Sequence, residues 1–149
     1  MGILERIRGQ KVFDNINVKS LHHPQPTFVV AASATTDIMT VNFQANAQFQ
    51  TDSAGNRISA AYPFYIATDT AGVILAAGTV VTGSSQGDTS IGGAVIHETT
   101  LNDFRKGTIV TNTTGEVQVA LTNTGTDTAY MVVVLPNGRL SVSGAIVWT

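Results

Sequence analysis

Met39-Thr40-Val41-Asn42-Phe43-Gln44-Ala45-Asn46-Ala47-Gln48-Phe49 alternates apolar and polar side chains without a break. A two-residue period places all six apolar side chains on one face of a β-strand and all five amides and hydroxyls on the other. A helix would scatter both sets around its circumference. The stretch therefore predicts a strand with one face toward a core and one toward solvent.

Working outward, turn signals and strand-like runs divide the chain after Thr27. Strands are predicted at Thr27–Ala32, Asp37–Gln50, Ile58–Ala67, Val73–Val81 and Ala94–Thr99. Further strands are expected at Thr108–Thr111, Glu116–Thr122, Thr128–Leu135 and Arg139–Trp148. The length of 37–50 implies a bend or bulge, and Pro63 puts its strand on an edge or at a bulge because it has no N–H. Asp52–Asn56, Thr68–Gly72, Asn112–Gly115, Asn123–Asp127 and Pro136-Asn137-Gly138 read as turns. Gly83–Asp88 reads as a flexible polar loop, and Leu101–Lys106 as a single helical turn. Thr128–Leu135 is nearly all apolar, as a strand buried on both faces requires. About nine closely spaced strands without a βαβ rhythm predict an all-β fold, a sandwich or a barrel.

Composition agrees. The 149 residues allow one domain, and a 43% apolar content supplies its core. Charged residues are only 12%, against the usual ~25%, so hydroxyls, amides and glycine form the surface. A net charge of −2 creates no field for nucleic acid or an anionic membrane, and neither is expected as a partner. The absence of cysteine excludes disulfides and thiolate chemistry. The first ten residues do not read as a signal peptide, and no apolar run is long enough to span a membrane.

Residues 1–26 read as an N-terminal docking arm and linker ahead of a domain at 27–149. Residues 1–25 hold four of the eight basic residues (Arg6, Arg8, Lys11, Lys19) against two acids, and the remainder holds four bases and eight acids. Ile3, Leu4 and Ile7 would form an apolar stripe on a short helix that needs a surface to dock on. Ile3, Leu4, Arg6, Ile7, Arg8 and Lys11 are thus the candidate partner-docking residues, suited to an acidic surface.

Chemistry-bearing patterns are weak. His22 and His23 are adjacent, and His97-Glu98 with Asp103 lacks the spacing of a metal helix, so no metal or cofactor is expected. Ser84, Ser85 and Ser90 lie outside any nucleophile-elbow motif, and no pair of carboxylates is marked for acid–base work, so no catalytic residues are expected. Arg105-Lys106 beside Phe104 is too small a basic cluster for nucleic acid. Tyr62 and Tyr65, on opposite faces of one strand, are the candidate ligand face for a sugar or a protein. Core packing is the competing role for them.

Two segments carry a resemblance. Gly115-Glu-Val-Gln-Val-Ala-Leu-Thr-Asn-Thr-Gly-Thr-Asp-Thr-Ala-Tyr130-Met-Val-Val-Val-Leu-Pro-Asn-Gly138-Arg139 resembles the second half of bacterial and phage immunoglobulin-like modules. There a T-x-x-G-x-V-x-V-x-L strand turns through a Gly/Thr corner into T-A-Y-x-V-x-V. The spacing from Asp52-Ser-Ala-Gly-Asn-Arg57 to Asp69-Thr-Ala-Gly72 is similar to that of small phage virion proteins carrying such sandwiches. The cysteine pair and buried tryptophan of antibody domains have no counterpart, Trp148 being penultimate. The resemblance covers about 100 residues and leaves the arm unexplained; with it the expected fold becomes an all-β antiparallel sandwich, immunoglobulin-like or jelly-roll-like, and the expected role a non-enzymatic tailed-bacteriophage virion component. A capsid decoration or head-fibre subunit is the first expectation, held by its arm to other virion proteins and assembled as a homo-oligomer, a trimer favoured. A tail or neck accessory subunit, or a carbohydrate- or receptor-binding module, is the alternative.

Overall fold

The computed structural model describes residues 25–33, 37–45, 58–77, 80–98 and 103–149. Ten strands run through them: β1 (Thr27–Ala32), β2 (Ile38–Gln44), β3 (Ala61–Ala67), β4 (Gly83–Gln86), β5 (Ala94–Glu98), β6 (Asp103–Val110), β7 (Glu116–Thr122), β8 (Thr128–Val134), β9 (Leu140–Val142) and β10 (Ile146–Val147). No helix occurs among the described residues. The strands form two sheets. One has the order β1-β2-β7-β4, the other β10-β8-β3-β6-β5 with β9 also paired to β8. Every pairing is antiparallel. Inward side chains of both sheets meet in a single core, so the molecule is an all-β antiparallel sandwich.

The alternating stretch builds its centre. Val41 and Phe43 of β2 face inward and are fully buried, while Asn42 between them is exposed. Ala45 continues the pattern, and 46–50 lie outside the described residues. The Phe43 ring stands 5.4 Å from Phe28 of β1 and 5.3 Å from Tyr62 of β3, tilted against both. This stack ties the edge and interior of the first sheet to the middle of the second. Val117, Val119 and Leu121 of β7 face Met131 and Val133 of β8 and Ile109 of β6 within the same core.

β1 and β7 have the bounds expected from the sequence. Four expectations are corrected. Val73–Val81 is not a strand: Val73, Ile74 and Leu75 are exposed, and only Leu75 makes an isolated bridge, to Ala67. Gly83–Gln86 is not loop but strand, because β7 offers it an unpaired edge from Val119 to Thr122. Of the helical turn expected at 101–106, residues 103–106 are the start of β6, where Asp103 and Arg105 bond each other across one residue, and 101–102 lie outside the described residues. The closing strand breaks into β9 and β10 at Ser143, whose Oγ accepts from Met131 N–H at 2.9 Å in place of a backbone carbonyl.

Pro63 lies on an interior strand but at a local edge of it. β8 pairs with β3 only from Phe64 to Ala67, so Pro63 has a strand neighbour on one side alone, at Thr108. Trp148, penultimate as it is, lies buried against the core and donates its backbone N–H to Asp127 O. Of the expected linker, Pro26 is buried at the foot of β1, and residues 1–24 lie outside the described set.

Candidate functional site

The two outer faces of the sandwich differ in chemistry. Register places Asn42, Gln118 and Val29 in one outward row of the first sheet, and Thr40, Ala120, Ala31 and Ser85 in the next. Gln118 Nε2 donates to Asn42 Oδ1 at 2.6 Å, and Thr40 Oγ1 to Ala31 O. Amides and hydroxyls share this face with Val29, Ala31 and Ala120.

The second sheet turns outward Ala61, Val110 and Ala94 in one row, Pro63, Thr108 and Ile96 in the next, and Tyr65, Lys106, Val132 and Val142 in a third. Ile96 is 57% exposed. Val132 is outward yet fully buried and belongs to no part of the inter-sheet core, because a loop lies across it.

That loop, Thr68–Leu75, is built around one carboxylate. Asp69 Oδ1 accepts from Ala71 N–H at 2.9 Å and Val73 N–H at 3.2 Å. Its Oδ2 accepts from Val73 N–H at 3.0 Å and Ile74 N–H at 2.6 Å. These donors, Ile74 and Val73 foremost, hold the Asp69 carboxyl below its ordinary pKa. Gly72 adopts φ +70°, and a Cβ there would stand 2.9 Å from Val132 Cγ2, so a side chain is excluded on both counts. Tyr65 Oη donates to Gly72 O at 2.6 Å, and Thr68 N–H to Ile74 O. Burial and the nearby Asp69 charge raise the Tyr65 pKa, which keeps it a donor.

Past the loop, Arg105 anchors the return. It grips Asp103 in a bidentate pair at 2.7 and 2.9 Å and donates a third bond to Ala76 O at 2.8 Å. Those bonds pull the Asp103 carboxyl down to about 2 and raise Arg105. The scaffold presents three consecutive apolar residues to solvent: Val73 77%, Ile74 60% and Leu75 44% exposed. Beside them an open depression of about 520 Å³ runs over Pro63, Tyr65, Leu75, Lys106 and Thr108.

The sequence-predicted residues distribute as follows. Tyr62 is 1% exposed and stacked in the core, so the candidate ligand face is corrected to Tyr65 alone. The Tyr62 hydroxyl finds no hydrogen-bond partner among the described residues, and burial pushes its pKa up to about 12. Tyr65 does line the open depression. Ser84 is buried, whereas Asp88 and Ser90 bond each other at 2.7 Å in a surface turn, which lowers the Asp88 pKa. The backbone of His97 and Glu98 lies on edge strand β5, where the register shifts between them. Asp103 is committed to Arg105 and lies 3.5 Å from Lys106. Ile3, Leu4, Arg6, Ile7, Arg8 and Lys11 fall outside the described residues, as do 52–57. Among the described residues no group of three metal-ligating side chains assembles.

Sequence reasoning missed Asp69, Gly72 and Val73–Leu75 as a unit. The signal was present: an Asx-type acceptor and a glycine followed at once by three aliphatic residues. No family model matches the chain, no curated protein matches it, and no solved structure matches it.

Proposed function

We propose that this protein is a non-enzymatic structural subunit of a tailed-bacteriophage virion, a capsid decoration or head fibre, that works by fitting against neighbouring subunits. The observation that carries the reading is the aliphatic outer face of the five-strand path, with Val73–Leu75 held out by Asp69. A surface that commits three backbone N–H groups, those of Ala71, Val73 and Ile74, to holding exposed aliphatic side chains in one place is suited to docking. The virion assignment itself rests on the turn and core residues of 52–72 and 115–139, which resemble those of phage sandwich proteins.

Strand order supports the immunoglobulin-like form of the sandwich over the jelly roll. In chain order, β1, β2, β3, β4, β7 and β8 take the places of strands A, B, C, D, E and F, and β9 with β10 that of G. The A-B-E-D sheet is β1-β2-β7-β4, and the C-F-G sheet is β3-β8-β9/β10. The β5–β6 hairpin is then an insertion between D and E that extends the sheet at the C edge.

The arm at 1–26 serves in this reading as the anchor. Mass spectrometry of virus particles sedimented from lysed producer cells tests the assignment: the chain is expected in the particle fraction at fixed stoichiometry. Its confinement to the soluble fraction would overturn the reading. A truncation beginning at Thr27 is expected to leave the sandwich folded and to abolish its retention on particles.

A further inference from the structure

We propose that the outer face of the first sheet carries a binding site for a neutral, hydroxyl-rich ligand, a single sugar ring at the end of a glycan. The proposal goes beyond the assembly reading above and does not depend on it.

The site is a concavity of about 260 Å³ that crosses β1, β2 and β7. Register sets Thr27, Gln44 and Glu116 in one outward row, with Val29 and Asn42 in the next. Ile91 closes the far side from the turn after β4, the strand beyond β7 in the sheet. The volume is below the ~300–1,000 Å³ of sites for drug-sized ligands, so it suits one ring rather than an extended molecule.

The walls of this concavity are held from one turn, which sets it apart from a patch of surface amides. Asn112 Nδ2 donates to Ile91 O at 2.6 Å, and Asn112 Oδ1 accepts from Glu116 N–H at 2.8 Å. Thr114 lies in the same turn. Its carbonyl accepts from Gln44 Nε2 at 2.9 Å, and its hydroxyl shares one proton between Glu116 Oε2 and Asn112 Oδ1, 2.8 Å from each. On the other flank, Gln118 Nε2 donates to Asn42 Oδ1. Gln44, Glu116, Asn42 and Ile91 are thus positioned before a ligand arrives, which lowers the entropic cost of binding.

These bonds also decide what is left over. Gln44 and Glu116 each keep Oε1, Asn42 keeps both N–H groups of Nδ2, and Thr27 Oγ1 can donate and accept. None of these atoms has a partner among the described residues. Sugar hydroxyls both donate and accept, so they match such a set, while the C–H groups of the ring pack on Val29 and Ile91. Among the described residues no lysine, arginine or histidine lines the concavity, and the Glu116 carboxylate repels phosphates and sulfates. An apolar ligand would strand the amides, and an ammonium ligand would leave them idle.

Isotope-labelled full chain is titrated with glucose, galactose, mannose and N-acetylglucosamine while its backbone amide resonances are followed. Glucosamine and a glucose phosphate serve as charged comparisons. Saturable shifts are expected at Asn42, Gln44, Ile91 and Glu116 with at least one neutral sugar, with a Kd on the order of 1 mM, and none with the sugar phosphate. Asn42→Ala is expected to weaken binding about tenfold, and Glu116→Gln, which keeps the acceptor oxygen, to change it less than about threefold. Ser85→Ala, on the same face outside the concavity, should change nothing. Thermal melting checks that the variants remain folded.

A chain that none of the four neutral sugars saturates overturns the proposal. So does binding confined to glucosamine and lost in Glu116→Gln, or binding that Asn42→Ala leaves unchanged. A failed titration by a chain found in particles refutes the sugar site alone. Sugar binding by a chain absent from particles refutes the virion reading alone.

Discussion

The two outer faces of the sandwich come from strands of similar alternation and finish with different balances of polar and aliphatic side chains. On the first sheet, outward positions mix Val29, Ala31 and Ala120 with amides and hydroxyls that bond along the surface, as Gln118 does to Asn42. On the second, proline, isoleucine, valine and alanine stand beside Thr108, Tyr65 and Lys106, crossed by a loop that adds three more aliphatic residues. Inner faces are alike and fill one core. The difference teaches that the fold is held by the inside, whereas the outside is free to vary, one face richer in amides and hydroxyls and the other richer in aliphatic side chains.

Replacing Phe43 by Ala attacks what the two sheets share. The ring touches Phe28 and Tyr62, so its loss is expected to cost about 3–5 kcal/mol in denaturant unfolding. An exposed neighbour on the same strand, Asn42→Ala, should stay within about 1 kcal/mol, since it loses only a surface hydrogen bond. Equal effects at 42 and 43 would break the inside–outside division.

Alkali provides the next largest effect. Tyr62 has its pKa raised to about 12 by burial, against 10.0 when unfolded. The stability its neutral form contributes is fully present below pH 10 and is lost as pH rises from there through 12. The loss amounts to about 2–3 kcal/mol. Tyr62→Phe should remove that alkaline slope and, at neutral pH, stabilise by about 1 kcal/mol, because the deleted hydroxyl has no partner among the described residues. Melting curves between pH 7 and 12 check both.

Gly72→Ala sharpens the contrast between faces. It places a Cβ against Val132 at a positive φ and should cost about 1–3 kcal/mol, concentrated in the loop. Gly138→Ala, also at positive φ but with open space around it, should cost less, its conformational strain alone.

The smallest expected effect is local and acid-dependent. Asp69 has a lowered pKa, so its contribution is present above the unfolded value of 3.8 and is lost as pH falls through the lower folded value. Hydrogen exchange at the Val73 and Ile74 amides should accelerate in that range relative to the core strands. Asp69→Asn should show the acceleration already at neutral pH. Protection unchanged in Asp69→Asn would remove the carboxylate from its role as the loop's organiser.

Much of this fold can be read residue by residue. β1, β7 and β8 are legible because one- or two-sided burial imposes its own pattern on Thr27–Ala32, Glu116–Thr122 and Thr128–Val134. β4 is not, because Gly83-Ser84-Ser85-Gln86 has no apolar pattern and is a strand only through its partner, some forty residues away. Val73-Ile74-Leu75 misleads in the opposite sense. Its composition suits a strand, but Asp69 claims the N–H groups that a ladder would need. The candidate site suffers most: the sequence puts Tyr62 and Tyr65 on opposite faces of one strand, but which face turns to the core is decided by the sheet packed against it.

Period-two patterning and turn chemistry, both local, determined by themselves that the chain is all-β, a sandwich or a barrel, and which side of β2 and β7 points inward; the division into two sheets is tertiary. Only tertiary structure decided that β4 caps one sheet edge, that Gly72 seals Val132 from water, and that Val73–Leu75 remains outside. Burial of an outward residue depends on what else folds across it, and that is a long-range property no window of neighbouring residues contains.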